Sequence, residues 1–141
     1  MPTAELVFAH VGVAVPDLRK AAVDYRALLG YDLLSGPFDD PTQKVSVCFL
    51  GHRDGDRERM PVVELIAPLG EESPVKRLLS KGGGAYHLAY YVRDIGAWVA
   101  EARGKGCVLL GEPVPAVAYS GRKIAWLYLP SRQLVEVIER G

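Results

Sequence analysis

Several common sequence features are scarce or missing in this chain of 141 residues. It has only two cysteines, Cys48 and Cys107, and each lies in an apolar segment. Without a secretion signal, two such cysteines indicate reduced core thiols rather than a disulfide or a thiolate metal pair. No apolar run approaches about 18 residues and no basic-then-apolar leader opens the chain, so we expect a soluble, cytoplasmic protein.

An excess of charge of either sign is also missing. Seventeen basic residues balance seventeen acidic ones, and the two signs are interspersed rather than gathered in runs. Such a balance does not recruit nucleic acid or an anionic membrane. The length fits one compact domain with a sizeable core. We therefore predict a single domain over 1–141, with neither nucleic acid nor a membrane as partner.

What the chain does contain is an internal repeat. The stretch His10–Asp17 (HVGVAVPD) is echoed in register by His87–Asp94 (HLAYYVRD), with His, Val and Asp identical. Each half ends in an apolar segment centred on a glutamate, VVELI around Glu64 and LVEVI around Glu136. Two related structural modules follow from this repeat.

Both halves show the same order of secondary-structure elements. Phe8–Val15 alternates as a strand, and Asp17 is an N-cap for a helix whose apolar stripe ends at Gly30. The second half repeats this pattern with Asp94 as the N-cap. Between the halves, Ser73 followed by proline predicts a short helix. Each half therefore reads β-α-β-β-β.

The modules are predicted over about 6–70 and 84–140, with a connector over 71–83. Lys44–Leu50 matches Lys123–Leu129 as a pair of equivalent strands. The predicted fold class is α+β, with two βαβββ modules whose curved sheets form a cup around a site. The residues expected to pack behind the sheets are Leu28, Leu29, Trp98 and Val99.

The two histidines and two glutamates of the repeat are candidate metal ligands. Each glutamate sits in a strand whose neighbouring residues are apolar, and an unpaired buried charge there is very costly. Any one of these four residues alone is better explained as a hydrogen-bonded wall residue or an ion-pair partner. Together, His10, Glu64, His87 and Glu136 predict a divalent metal such as Co, Mn, Ni, Fe or Zn. Four protein ligands leave two octahedral positions for a chelating substrate.

The motifs resemble the vicinal oxygen chelate superfamily, which includes glyoxalase I, extradiol dioxygenases and fosfomycin-resistance proteins. Within it, the chain is most similar to methylmalonyl-CoA epimerases. The similar segments are His10–Leu18, Val63–Gly70 followed by Ser73–Val75, Tyr86–Ala89 with Asp94-Ile95, and Leu134–Glu136. The APLG and SP motifs of the connector are more specific than the scattered metal ligands.

The resemblance implies roles for individual residues. It implies that His10, Glu64, His87 and Glu136 hold the metal, with Glu64 where some epimerases carry glutamine. We expect Glu136 or Glu64 to be the catalytic group that moves the proton. The epimerases place a second acid/base glutamate on the strand after the first helix, where this chain has Val47. Inversion at a carbon alpha to a thioester needs a proton donor and an acceptor on opposite faces. The departure at Val47 therefore separates the metal prediction from the epimerase prediction.

The implied function is a metal-dependent enzyme, an isomerase, epimerase or lyase, that stabilises an enolate-like intermediate of a small carbonyl substrate. An acyl thioester is the expected substrate, and the proton donors expected near the site are the metal-bound carboxylates or a non-carboxylate group such as Tyr91. One alternative is a glyoxalase-type lyase or isomerase, or a metal-dependent transferase acting on another electrophile. Another is a non-catalytic small-molecule binding or resistance protein, although such proteins typically lose the metal ligands.

Expected partners are a small-molecule substrate, as a coenzyme A or carrier-protein thioester, and a second copy of the chain through exposed strand edges. Basic side chains in loops and in the connector helix are candidates for contacts with the phosphates of coenzyme A, although solvated surface charge explains them better. These side chains are Lys76, Arg77, Lys81, Arg122 and Lys123.

Overall fold

The computed structural model describes residues 6–56 and 60–140, and within them the chain forms two compact units. The first unit covers 10–86, and the second covers the described residues of 1–9 and 87–141. The predicted connector belongs to the first unit, and the border at Tyr86 and His87 falls near the predicted start of the second module. The organisation as one domain over 1–141 stays a prediction.

The first unit combines strands and helices in the predicted order. Its elements are β1 (Val7–Ala14, from His10 onward), α1 (Leu18–Leu29), β2 (Asp32–Asp40), β3 (Val45–Gly51), β4 (Val63–Pro68) and α2 (Pro74–Ser80). The strands lie in the order β2-β3-β4-β1. β1 runs parallel to β4, and the other neighbours are antiparallel.

Local chemistry defines the ends of α1 as the sequence predicts. The Asp17 carboxylate accepts a hydrogen bond from the Lys20 backbone N–H at 3.1 Å, which satisfies one of the free donors of the first turn. Gly30 has φ 75°, the left-handed conformation that closes helices at low cost for glycine. Ser73 caps α2 in the same way, accepting from the Val75 N–H at 3.3 Å.

Two of the residues expected to pack behind the sheet do not do so. Leu28 is 79% exposed and Leu29 is 55% exposed, so that prediction is wrong. The rings of Tyr25 and Tyr31 meet edge to face, with centroids 5.7 Å apart, and both pack on the core. Tyr25 is the last residue of α1 that packs on this core, so the leucines after it lie beyond the packed part of the helix.

The second unit has the same order of elements as the first, except that two short strands follow its helix where the first unit has one strand. Its elements are β5 (Gly84–Val92, from His87 onward), α3 (Ile95–Gly104), β6 (Val108–Leu109), β7 (Val114–Pro115), a 3-10 turn (Val117–Tyr119), β8 (Lys123–Tyr128) and β9 (Leu134–Glu139). The strands lie in the order β5-β9-β8-β6, with β7 also on β8 and β5 parallel to β9. Pro113 and Pro115 remove backbone donors here, which explains two short strands in place of one.

The core of the second unit lies under α3, as predicted. Val99 is buried and Trp98 is partly buried against the cluster that includes Leu127 and Val137. The Asp94 carboxylate caps α3 by accepting from the Ala97 N–H at 3.0 Å.

None of the helices in the described part of the chain has the length and hydropathy needed to cross a membrane.

Candidate metal centre

The first unit brings His10 and Glu64 together. His10 lies on β1 and Glu64 on β4, and the parallel register sets Gly12 opposite Glu64. Since residues two apart in a strand share a face, His10 and Gly12 point to the side that carries the carboxylate. The His10 Nε2 atom is 3.1 Å from the Glu64 Oε1 atom. The two residues are only 1% and 5% exposed.

The second unit builds the same arrangement from His87 and Glu136. His87 lies on β5, Glu136 on β9, and Ala89 is opposite Glu136 in the parallel register. The His87 Nε2 atom is 3.5 Å from the Glu136 Oε1 atom, and the residues are 1% and 3% exposed. A small residue two positions after the histidine therefore faces the glutamate in both units.

An aromatic ring accompanies each pair. Phe49 on β3 lies opposite Glu64 in the antiparallel register, and its ring centroid is 5.5 Å from that of His10. Trp126 on β8 lies opposite Glu136, with its ring centroid 4.8 Å from that of His87.

Sequence comparison of the repeats missed these rings. The match of Lys44–Leu50 with Lys123–Leu129 set Trp126 against Val47, two residues away from its structural equivalent Phe49. The signal that could have found the pair is the distance from each aromatic residue to the following glutamate, allowing for the longer polar loop in the first half.

Val47 contributes an apolar wall rather than an acid/base group. It is 4% exposed and shares the face of β3 that carries Phe49. Ile66 lies opposite it on β4, and Phe38 lies opposite it on β2. The surroundings of Glu64 on this side are therefore hydrocarbon and aromatic.

The donor atoms of both pairs fit a divalent cation. Imidazole nitrogens and carboxylate oxygens are ligands that first-row transition metals accept. Because an unpaired buried carboxylate is energetically costly, a bound cation would stabilise both glutamates. Cys48 belongs to the opposite, core-packed face of β3. Burial raises the pKa of its thiol to about 11, with the negative charge of Glu64 adding to the effect. Cys48 is therefore a neutral core residue, as predicted, and not a ligand.

Tyr91 and Lys76 are two further candidates for function. Tyr91 is partly buried on β5, opposite Ile138. Among the basic residues, Lys76 is engaged on the surface, with its Nζ atom 2.6 Å from the Glu71 Oε2 atom. This hydrogen bond and the lysine charge lower the pKa of the Glu71 carboxyl.

Comparison with known proteins gives the family. The model of the glyoxalase/bleomycin resistance protein/dioxygenase superfamily matches residues 9–126, which is most of the chain. The chain belongs to this superfamily. The superfamily resemblance expected from the repeated His and Glu motifs is thereby confirmed.

Relatives of this superfamily member include named epimerases. It is 36% identical over 121 residues to the ethylmalonyl-CoA/methylmalonyl-CoA epimerase of Cereibacter sphaeroides, covering 84% of this chain and 85% of that protein. It is also 36% identical to the human mitochondrial methylmalonyl-CoA epimerase, covering 84% of this chain and 64% of that protein. The prediction of an enzyme in the isomerase/epimerase class is confirmed by these relatives.

Solved structures confirm the fold class of the superfamily member. The methylmalonyl-CoA epimerase of Mycobacterium tuberculosis matches with a TM-score of 0.79 at 28% identity, covering 95% of this chain and 87% of that chain. The Streptomyces coelicolor epimerase in complex with 2-nitronate-propionyl-CoA matches with a TM-score of 0.78 at 28% identity, covering 95% and 96%. The predicted α+β fold of the vicinal oxygen chelate type is correct.

Proposed function

We propose that the protein is a metal-dependent epimerase that inverts the carbon alpha to the thioester of a malonyl-type acyl-CoA. The observation that carries this proposal is the 36% identity to an epimerase of ethylmalonyl-CoA and methylmalonyl-CoA over 85% of that protein's length. The two buried His–Glu pairs support it, because they supply the donor set that such chemistry requires.

His10, Glu64, His87 and Glu136 are the residues that would hold the metal. When bound, a divalent cation supplies Lewis-acid polarisation of the substrate's carbonyl oxygens. The protein's own part is to keep the four side chains dry. All four are at most 5% exposed, and electrostatic interactions strengthen where water is excluded.

In this scheme the carboxylates of Glu136 and Glu64 carry out the proton transfers. Glu136 removes the alpha proton and becomes protonated, which leaves the substrate as a planar enolate, and a second group that starts protonated gives its proton to the opposite face. Glu64 is our choice for that second group, and Tyr91 is the alternative donor. Val47 carries no titratable atom, so the position that holds a glutamate in similar epimerases takes no part in this scheme.

The test is exchange of the alpha proton with solvent deuterium. Methylmalonyl-CoA, ethylmalonyl-CoA and propionyl-CoA would be incubated with the protein and Co²⁺ in heavy water, and label at the alpha carbon followed by mass spectrometry. We expect rapid exchange with the two malonyl-type esters, loss of exchange in Glu136→Gln for the epimer whose alpha proton Glu136 removes, and wild-type exchange in Glu101→Gln, a control on α3. Absence of exchange with every thioester would overturn the proposal in favour of a glyoxalase-type lyase, isomerase or transferase.

The proposal also covers the substrate carrier, the location of the protein, its self-association and the role of its basic side chains. Coenzyme A is the carrier we assign to the substrate, because the structure of a similar epimerase is described as a complex with methylmalonyl-CoA and NH₄⁺. Cytoplasmic location, self-association into a homodimer and contacts of the basic side chains with coenzyme A phosphates stay predictions.

A further inference from the structure

We infer that Phe49 and Trp126 are positioning residues, each fixing the imidazole plane of one histidine so that Nε2 stays directed at the neighbouring carboxylate. The metal-binding part of this inference rests on the proposed function. The part that concerns the histidine side chains holds for the protein without metal and can be tested there.

The first observation is the contact between Phe49 and His10. The two rings are inclined by 68°, an edge-to-face arrangement, with centroids 5.5 Å apart. Phe49 is itself 8% exposed, and the ring centroid of Phe38 lies 6.5 Å from that of Phe49. The imidazole therefore meets a ring that has little freedom to move.

The second observation is the equivalent contact in the other unit. Trp126 and His87 are inclined by 87° with centroids 4.8 Å apart. Phe49 and Trp126 also hold the same register position, since each lies opposite the glutamate of its pair. A contact that recurs at the same place in both halves, with different aromatic residues, points to a shared requirement rather than to local packing alone.

The physical reason lies in the freedom of the histidine side chain. The outer torsion of histidine is broad and roughly two-fold, so backbone position alone does not decide where Nε2 points. A half-turn of the ring would exchange Nε2 with a carbon atom and leave the carboxylate facing C–H. An aromatic ring packed edge to face restricts that rotation, and such pairs prefer this geometry. It also covers the His–Glu pair from water.

The test combines two variants with matched controls. Phe49→Leu and Trp126→Leu remove the rings but keep apolar bulk, and Trp126→Phe restores a ring. Tyr31→Leu and Trp98→Leu remove partly buried aromatic residues that pack on the cores away from the His–Glu pairs. Circular dichroism and thermal melts would establish that each variant is folded.

The first readout is the NMR spectrum of the histidine side chains in the full chain, stripped of metal with a chelator. The chain has three histidines, so each can be followed separately. Loss of a neighbouring aromatic ring shifts these signals in any case, so line broadening and the appearance of a second set of imidazole signals are the readout. We expect both in His10 for Phe49→Leu and in His87 for Trp126→Leu, while Trp126→Phe keeps single, sharp His87 signals. Single, sharp His10 and His87 signals in the leucine variants would overturn the inference.

The second readout is Co²⁺ affinity by calorimetry, with the visible spectrum of the bound ion. Groups that orient metal ligands typically change affinity by about 10–100-fold when removed. We expect about a tenfold loss in each leucine variant and a change of less than about twofold in Tyr31→Leu and Trp98→Leu. If the wild type binds no Co²⁺, the proposed function fails, and the histidine signals alone decide this inference. Equal affinity in all variants refutes the positioning role.

Discussion

Gly12 lies directly opposite Glu64 in the parallel pairing of β1 with β4. Glycine adds no side chain beside this carboxylate, and in the second unit the small residue Ala89 lies opposite Glu136 in the same way. Each glutamate therefore has a small neighbour on the strand of its histidine, at a position that contributes no functional group of its own.

Replacing Gly12 with a larger residue should separate His10 from Glu64. We expect Gly12→Val to lower Co²⁺ affinity and alpha-proton exchange by at least about tenfold, because the added methyl groups occupy the space of the carboxylate; overpacking of this kind costs about 1–3 kcal/mol. Gly12→Ala is the matched control, since alanine already fills the equivalent place, and it should stay within about threefold of wild type. Equal loss in both variants would contradict the explanation.

Metal content should depend on both histidines. Protein purified without chelators, or reloaded with Co²⁺, should contain one metal per chain by elemental analysis. The double variant His10→Ala/His87→Ala should contain none and show no exchange activity, whereas His52→Ala should retain both. Metal at 100 times its dissociation constant should stabilise the wild type by about 2.7 kcal/mol and leave the double variant unchanged. A fully active preparation without metal would refute the site.

Glu136→Gln should separate catalysis from binding. The amide keeps the size of the side chain but cannot accept the substrate proton, and loss of general acid/base catalysis typically costs about 10²–10⁴-fold in rate. We expect kcat to fall by that amount at saturating Co²⁺, more than the loss of metal affinity explains. The exposed control Glu112→Gln should behave as wild type. A Glu136→Gln variant whose whole defect disappears with added metal would assign Glu136 to binding alone.

The two cysteines should differ in reactivity. Burial raises the pKa of the Cys48 thiol to about 11, so at pH 8 it stays protonated, and the thiolate is the reactive form. We expect iodoacetamide to label the partly buried Cys107 first, and Cys48 only after unfolding. Because the folded pKa exceeds the ordinary value of about 8.5, the contribution of Cys48 to stability is present below that pH and is lost as the pH rises toward 11. Cys48→Ala should lack this part of the alkaline destabilisation.

Gly36 on β2 should resist replacement. It has φ 95°, and an added Cβ would lie 2.9 Å from the Val47 carbonyl oxygen and 3.0 Å from the Cys48 Cα atom. Backbone strain of this kind costs about 1–3 kcal/mol, and we expect Gly36→Ala to lower the free energy of unfolding by at least that amount in urea. Gly96→Ala in α3 is the control, because its Cβ would find its nearest neighbour at 3.6 Å. That variant should be neutral or more stable by about 0.5–1 kcal/mol.

Much of the fold could be predicted because its signals are local. Asp17 and Gly30 mark the ends of α1, and Asp94 marks the start of α3, through hydrogen bonds and dihedral preferences that involve only a few residues. The pairing of each histidine with the glutamate of its own half was also predictable, because both belong to repeated motifs on strands with a two-residue period.

The features that could not be predicted from the sequence depend on tertiary packing or on strand register. Periodicity placed Leu28 on the inward stripe of α1, but it cannot tell where the sheet beneath a helix stops. β2 carries Gly36 in its middle, so it lacks the alternation that would mark it as a strand. The equivalence of Phe49 and Trp126 was hidden because it depends on the pairing of strands, which a comparison along the chain does not contain.

The two faces of β3 restrict how this chain can change in length. Phe49 faces the histidine side and Cys48 faces the core, so one inserted residue within the strand would exchange them and bring the thiol beside Glu64. Deletion of one residue would have the same effect. Length variation among relatives should therefore be confined to turns, such as the polar segment between β3 and β4, while the strands themselves diverge by substitution only.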